Sequence, residues 1–363
     1  MSKKSIPLVQ LDNTVIWEAV LPRLESLIVR GEFTLGPELE SFERAAAAAF
    51  GCRWAAGTSS GTSALTLALR SLQLKDKSRI ALPANTFFAT LEAVVLAGHI
   101  PVVVDHDDDY LCSIDSLESI RVDALIPVHL HGLPVDMNNL KVLAVDRGWS
   151  LIEDCSQAHG ATIDGMPVGS FGHLGAFSAY PTKNLGAWGD AGFVTGNDPE
   201  IERKVKALRH HGQFHPDIHQ EIGGTHRLDN LQALVLEEKL RRMKFEVESR
   251  RQIAVWYHEE LADTGLALPG DRGQRRHAYH HYVLRVKNRD VLCEHLSSRG
   301  IASAVHYPMP VHLQPAAAQL CEVPYHPVRA EASSREVISL PIYPGLSRDD
   351  VARIGKAVRD FLA

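Results

Sequence analysis

The chain has 363 residues, 23% of them charged, and a formal net charge of −6; this length predicts two domains at about 100 to 200 residues each. Acidic and basic residues are mixed throughout, which excludes the electrostatic footprint of a nucleic-acid or anionic-membrane binder and leaves a small molecule or a second copy of the chain as partner. Its five cysteines (Cys52, Cys112, Cys155, Cys293, Cys321) are scattered and lack a C-x-x-C pair, which excludes a disulfide framework and a structural zinc site and reads as a reduced, cytoplasmic protein.

In chain order, the basic start at Met1–Ser5 is not followed by the long apolar run of a secretory signal. The most apolar region is interrupted by Glu92 and His99, so no membrane-spanning helix is expected. The run Ala45–Ala49 is good helix former. From about residue 50 to 200, short apolar runs ending in Gly, Pro, Asn or Asp alternate with helical patterns. Strands are predicted at Arg79–Pro83, Ile100–Asp105, Ala124–His129, Ser150–Glu153, Gly175–Ser178 and Gly192–Thr195, a rhythm of βαβ units around a mostly parallel sheet. The helix after Ser60 places Leu65, Ala68, Leu69 and Leu72 at i, i+3, i+4 and i+7. A long helical stretch, Leu228–Leu261, is expected to bend or break before a second unit. There, strands at His281–Val286 and Ile301–His306 flank a helix at Asp290–Ser298, and a last helix opens at Ser347 with Asp350 three residues on.

Four segments carry candidate chemistry. Ser178 through Asp190 sets one lysine, Lys183, among turn formers and small residues; a desolvated lysine has a lowered pKa and a free lone pair for a carbonyl, although most lysines are solvated surface charge. Gly57 through Ala64 puts small hydroxyl residues at a helix start, which reads either as a phosphate cup or as an ordinary Ser/Thr N-cap. Leu151 through Gly160 is an apolar strand ending in Asp154, Gln157 and His159. Asp154 there either holds a ring nitrogen protonated, with Gln157 near a ring oxygen and His159 supporting the Asp, or simply caps the strand. In Pro83 through Phe88, an aromatic ring either stacks on a flat cofactor or joins the core. The pair His129 and His131 would share one strand face, while His210-His211 and His280-His281 would point apart; two ligands are too few for zinc, and no metal site is expected. Together, an anion cup, a strand-end Asp and Gln, a stacking aromatic and a buried lysine describe a site for pyridoxal phosphate.

These segments resemble the DegT/DnrJ/EryC1/StrS sugar aminotransferases along nearly the whole chain. The likeness runs from Ile6-Pro7-Leu8-Val9 and Gly36-Pro37-Glu38 through Ser60-Gly61-Thr62, Pro83 to Phe87, Glu153 to Gly160 and Ser178 to Gly186. It continues in Arg227-Leu228-Asp229, His306-Tyr307-Pro308 and Leu340-Pro341 with Tyr343. The resemblance implies an α/β, fold type I transferase: a three-layer sandwich with a mostly parallel sheet over residues 1–245, plus a smaller C-terminal α/β domain over 246–363. It implies that Lys183 is the Schiff-base lysine and proton shuttle, Asp154 the pyridine-nitrogen partner, Gln157 the contact to the ring hydroxyl and Phe87 the stacking ring. Gly61, Thr62 and Ser178 stand as phosphate ligands, and His159, His306 and Tyr307 as substrate contacts. The implied reaction is a ping-pong transfer from glutamate or glutamine to a nucleotide-linked keto sugar. The segments around Gln232, Lys239 and His306 to Gln314 favour C3 of a dTDP-3-keto-6-deoxyhexose over a 4-keto sugar.

Two departures stand out. Thr225 occupies the position where the family commonly has an Asn that reaches across a homodimer interface to the cofactor phosphate, and His210 stands where many members carry Asn. Lys183 argues against the dehydratases of the same family, which usually carry histidine there. The absence of a DNA-binding or membrane segment argues against a non-catalytic cofactor-binding regulator.

Overall fold

The computed structural model describes residues 5–11, 13–118 and 120–363; the basic start of the chain lies outside them. Seven strands form the main sheet: β1 (Trp54–Thr58), β2 (Arg79–Pro83), β3 (Ile100–Val104), β4 (Ala124–Leu125), β5 (Ser150–Asp154), β6 (Leu174–Ser178) and β7 (Gly192–Gly196). Their order in space is β1-β7-β6-β5-β4-β2-β3. The pairs β2·β3, β2·β4, β4·β5 and β5·β6 are parallel, and β7 runs antiparallel to both β6 and β1.

Because side chains alternate across a strand, each strand feeds two cores, which is why these runs are apolar at nearly every position. After helices α1 (Thr14–Arg30) and α2 (Pro37–Ala49), the sheet's first face is covered by α3 (Gly61–Ser71) and α4 (Phe88–Leu96), which Ile80, Val103, Ile152 and Val194 face. Their neighbours Ala81, Val102 and Leu151 face the helix Met137–Arg147. Phe177 and Phe193 pack beside the helix Pro37–Ala49. These two rings stack at 4.5 Å with planes 7° apart, and loss of either costs about 3–5 kcal/mol. Helices thus cover both faces of a mostly parallel sheet, as expected.

Three expectations about elements need correction. The predicted strand Ala124–His129 is regular only over Ala124–Leu125: Pro127 has no N–H for the ladder, and Val128 rejoins by a single bridge to Asp154. Residues Ile301–His306 form no strand, touching the rest through single bridges from Ile301 to Ile6 and from Ala304 to Ser339. The long stretch does not break but is one helix, Asn230–Leu261. It contains no Gly or Pro, and Glu237 pairs with Arg241 one turn on. The strand Trp54–Thr58 was absent from the expected set, because Trp-Ala-Ala-Gly-Thr has little β-branched character although all five residues are buried.

The boundary expected at 245/246 falls inside the long helix. From Ile253 onward that helix joins a separate core with Ile6, the strand pair Tyr282–Arg285 and Val337–Leu340, and the last helix Arg348–Leu362. That last helix opens as the sequence indicates, with Ser347 Oγ accepting from the Asp350 N–H at 3.1 Å. Among the described residues no helix is long and apolar enough to cross a membrane.

Candidate functional site

The carboxyl ends of β5 and β6, the loops after β1 and β2 and the start of β7 meet around a cavity of about 460 Å³. This is where ligands sit in open α/β sheets. Lys183, Asp154, Gln157, Gly61, Thr62, Phe87, Ser178, His306 and Tyr307 all line it. The structure therefore brings together nine of the eleven residues singled out from sequence.

The anion cup is built by the start of α3. Ser60 caps the helix, its Oγ accepting from the Ser63 N–H at 3.1 Å, so both readings of this segment hold at once: the cap is real, and the first-turn N–H groups of Gly61 and Thr62 have no partner within the helix. Gly61 presses against the end of β6, where a Cβ would meet the Ser178 Cβ at 2.5 Å. Only glycine lets Ser178 and the helix dipole converge on one point.

Asp154 ends β5 nearly buried. Its Oδ2 accepts from Thr90 Oγ1 at 2.9 Å and its Oδ1 from the Ser156 N–H at 3.1 Å. Thr86 lies 2.8 Å from Thr90; because Thr90 gives its proton to Asp154, Thr86 is the donor in that pair. Gln157 is held at both ends. Its Oε1 accepts from the His131 N–H at 2.7 Å, and its Nε2 donates to the Tyr307 hydroxyl at 2.9 Å. The amide orientation follows, with Nε2 on the cavity side.

Lys183 sits in a loop pinned at several points. The Lys183 N–H donates to the Tyr180 carbonyl at 2.9 Å, the Ala187 N–H to the Ala179 carbonyl at 2.8 Å and Asn184 Nδ2 to the Ala278 carbonyl at 2.9 Å. Gly186 lies against the Pro181 carbonyl, where a side chain has no room. Among the described residues no partner bonds the Lys183 amine. Burial lowers its pKa from 10.5 to about 8, a fall that the charge of Asp154 opposes. The amine is thus available as a nucleophile near neutral pH.

Of the aromatic pair, Phe87 is 58% exposed on the cavity wall, 5.7 Å from the Tyr307 ring, whereas Phe88 turns into the core. His306 donates to or accepts from Ser339 Oγ at 2.8 Å and stacks on His281 at 3.8 Å. Burial and the nearby Lys183 push His306 down to about 4.

Four expectations about histidines change. His159 is fully buried among Phe50, Phe177 and Phe193, hydrogen-bonds nothing and does not line the cavity. It neither supports Asp154, a task Thr90 performs, nor reaches a substrate; burial holds it near 3. His129 and His131 do not share a strand face, because a tight turn with His131 at φ 60° intervenes. His129 instead donates from Nε2 to Glu153 at 3.1 Å while its Nδ1 accepts from the Val135 N–H at 2.9 Å. His280 and His281 do not point apart: their rings lie 4.1 Å from each other and both line the cavity. His210 and His211 likewise have rings 5.7 Å apart. Sequence reasoning missed Thr90, His280 and His281 as cavity residues. For Thr90 a signal existed in its i+4 spacing from Thr86.

Thr225 is exposed and lies outside this cavity, 3.2 Å from His211 Nε2. One buried group of metal-ligand type occurs among the described residues, His129, Glu153 and Cys155. Glu153 there is already saturated by backbone N–H groups of Gly169, Phe171 and Gly172 at 2.7 to 2.8 Å, and burial raises the Cys155 pKa; neither suits a cation.

The remaining capacity of the wall matches a flat, anionic, carbonyl-bearing ring. In one wall the cup offers free N–H groups, Asp154 a carboxylate and Lys183 an amine with no hydrogen-bond partner among the described residues. His280 Nδ1 is buried without a partner.

A family model described as the DegT/DnrJ/EryC1/StrS aminotransferase family matches residues 16–359. The chain is 38% identical over 364 aligned positions, 99% of its length and 98% of the relative's, to a UDP-N-acetyl-3-dehydro-α-D-glucosamine 3-aminotransferase of Acidithiobacillus ferrooxidans. It is 37% identical over 97% of its length and 95% of the relative's to a dTDP-3-amino-3,4,6-trideoxy-α-D-glucose transaminase of Streptomyces venezuelae. The crystal structure of NtdA from Bacillus subtilis, with bound cofactor PMP, superposes with a TM-score of 0.91 at 26% identity, covering 100% of this chain and 86% of that one.

Proposed function

This chain belongs to the DegT/DnrJ/EryC1/StrS aminotransferase family and is a sugar aminotransferase; from that premise we propose that it moves an amino group from glutamate or glutamine to the keto carbon of a nucleotide-linked deoxysugar. The observation that carries the reading is Lys183, an unpaired amine with a pKa lowered to about 8, in one cavity with Asp154 and the α3 cup. Both curated relatives support C3 as the reacting carbon in their names, one on a UDP sugar and one on a dTDP sugar. A dTDP-3-keto-6-deoxyhexose is the first acceptor to test.

Pyridoxal phosphate, when bound, supplies the aldehyde that accepts the amine and the ring that takes up negative charge. Gly61, Thr62 and Ser178 would hold its phosphate, Phe87 its face, Gln157 its ring hydroxyl and Asp154 its ring nitrogen. Lys183 would anchor the aldehyde and then, as a free amine, take a proton from one carbon and return it to another. Tyr307, His280, His281 and His306 would form the wall around that transfer. Thr225, outside its own cavity, would serve a second copy of the chain, and exposed Leu11, Val15 and Trp17 support such a homodimer. Five free cysteines support a reducing cytoplasm.

The test supplies glutamate and a panel of dTDP- and UDP-linked 3-keto and 4-keto sugars and detects aminated product by mass spectrometry. Amination of a 3-keto sugar, lost in Lys183→Ala, is expected. A deoxygenated product, or amination only of 4-keto sugars, overturns the assignment.

A further inference from the structure

His281 is held on three sides. His280 at 4.1 Å and His306 at 3.8 Å cover the two faces of its ring. Its Nδ1 stands 3.4 Å from Nδ1 of His131, which lies behind the wall and does not line the large cavity. His281 itself lines that cavity and is half-buried. The edge left to meet the cavity is therefore the one that carries Nε2.

The proton on that edge follows from His131. Burial pushes the pKa of both imidazoles well below the ordinary value, so both are neutral and each carries one N–H. His131 Nε2 is buried and, among the described residues, has no partner. Buried N–H groups without an acceptor are rarer than buried lone pairs without a donor, so His131 keeps its proton on Nδ1 and donates it to His281 Nδ1. The proton of His281 is then on Nε2, turned to the cavity. His131 does a second task of the same kind. Its backbone N–H fixes the Gln157 amide, whose Nε2 donates to the Tyr307 hydroxyl and leaves the Tyr307 proton free.

Neutral donors matter here because, among the described residues lining the cavity, Lys183 is the only lysine and there is no arginine. Lys183 is taken up by the chemistry. The amino donor carries a carboxylate on the same carbon as its amine, and the sugar brings hydroxyls to the same place in the second half of the cycle. A guanidinium would pair with the carboxylate but stand buried and unpaired against the sugar. A neutral N–H serves both.

We propose that His281 is a specificity-determining residue that reads an oxygen of each substrate in turn, the α-carboxylate of the amino donor and then a hydroxyl of the sugar. His131 is the positioning residue that keeps its donor edge turned to them. The inference rests on the proposed function, because it requires two chemically unlike substrates in one cavity.

The experiment follows the two half-reactions separately by stopped-flow absorbance: cofactor-loaded protein with the amino donor that the wild type accepts, then amine-loaded protein with a keto sugar that it accepts. His281→Phe keeps the ring stack and removes the N–H. It lowers kcat/KM for the amino donor by about 10- to 100-fold, mostly through KM, the worth of one hydrogen bond to a charged group. For the sugar the loss is about three- to tenfold, the worth of a neutral one. His281→Gln, which keeps an N–H, recovers most of both. His131→Phe touches no substrate and gives a smaller loss in each half, again in KM. Thermal melting shows that each variant folds. Independently of turnover, ¹⁵N NMR of the histidine-labelled wild type, read by difference from His281→Phe, finds Nε2 to be the protonated nitrogen of His281. Wild-type KM values in His281→Phe, a greater loss toward the sugar than toward the amino donor, or a His281 proton on Nδ1 overturns the proposal alone. A wild-type protein that takes no amine from glutamate or glutamine breaks the aminotransfer reading and this proposal with it.

Discussion

Glu153 and Asp154 are neighbours at the end of one strand, both almost fully buried, yet they do opposite things. Glu153 faces the same side as Leu151. Both its oxygens are filled, by the N–H groups of Gly169, Phe171 and Gly172 and by His129. Asp154 faces the other side, toward the cavity, with one hydrogen bond on each oxygen. A carboxylate has about four acceptor sites, so Glu153 has spent its capacity on the fold and Asp154 keeps half of it for a ligand. The alternation of a strand is enough to turn an acidic dipeptide into one structural anchor and one functional group.

Paired substitutions are the sharpest way to break this contrast. Glu153→Gln sets an amide among donors that need an acceptor, and is expected to lower unfolding free energy in urea by about 3 kcal/mol or more, with the folded fraction still turning over. Asp154→Asn is expected to leave the urea midpoint near wild type and to cut amino transfer by about 10²- to 10³-fold. A stable, inactive Glu153→Gln protein would reverse the assignment of the two faces.

The next effect is on pH. Lys183 is held at about 8 by burial, partly offset by Asp154, against 10.5 in the unfolded chain. Its reactive form is the free amine, so the rate at which apoprotein takes up pyridoxal phosphate should rise with pH to a plateau, with a midpoint near 8. Between 8 and 10.5 the unfolded chain holds the extra proton, so the lysine's contribution to stability rises with pH through that window and is unfavourable below it. Asp154→Asn removes the influence that raises this pKa and is expected to move the midpoint lower. An unchanged midpoint in stopped-flow absorbance would separate the two residues.

Much of this site was legible in the sequence, because its parts sit at strand ends and helix starts whose signals are local. Ser60 with α3, Asp154 at the close of β5 and Lys183 in a loop of turn formers each announce their backbone context within a dozen residues. The reading failed where side-chain direction depends on distant packing. The position of His159, five residues after Asp154 in the same strand-end segment, suggests a support for that carboxylate, but the core phenylalanines Phe50, Phe177 and Phe193 claim it. His280 and His281 were assigned the alternation of a strand that begins only at Tyr282. The unbroken run of Asn230–Leu261 was misjudged from its length, although it lacks any helix breaker.

Thr90 is the residue through which the contrast between the two carboxylates reaches back into the fold. Its hydroxyl donates to Asp154 Oδ2, and Thr86 donates to it in turn, so two side chains from the turn into α4 fix the rotamer of a carboxylate on β5. Thr90→Val keeps the shape and removes the donor, leaving Asp154 tethered by the Ser156 N–H alone. The apoprotein should lose about 1.5–3 kcal/mol of stability, the worth of one hydrogen bond to a charged group, while equilibrium dialysis should show pyridoxal phosphate bound about tenfold more weakly. Thr90→Ser, which keeps the hydroxyl, should restore the affinity. If Thr90→Val instead binds the cofactor normally, the Ser156 N–H alone orients Asp154, and the threonine pair belongs with Glu153 among the groups that serve the fold.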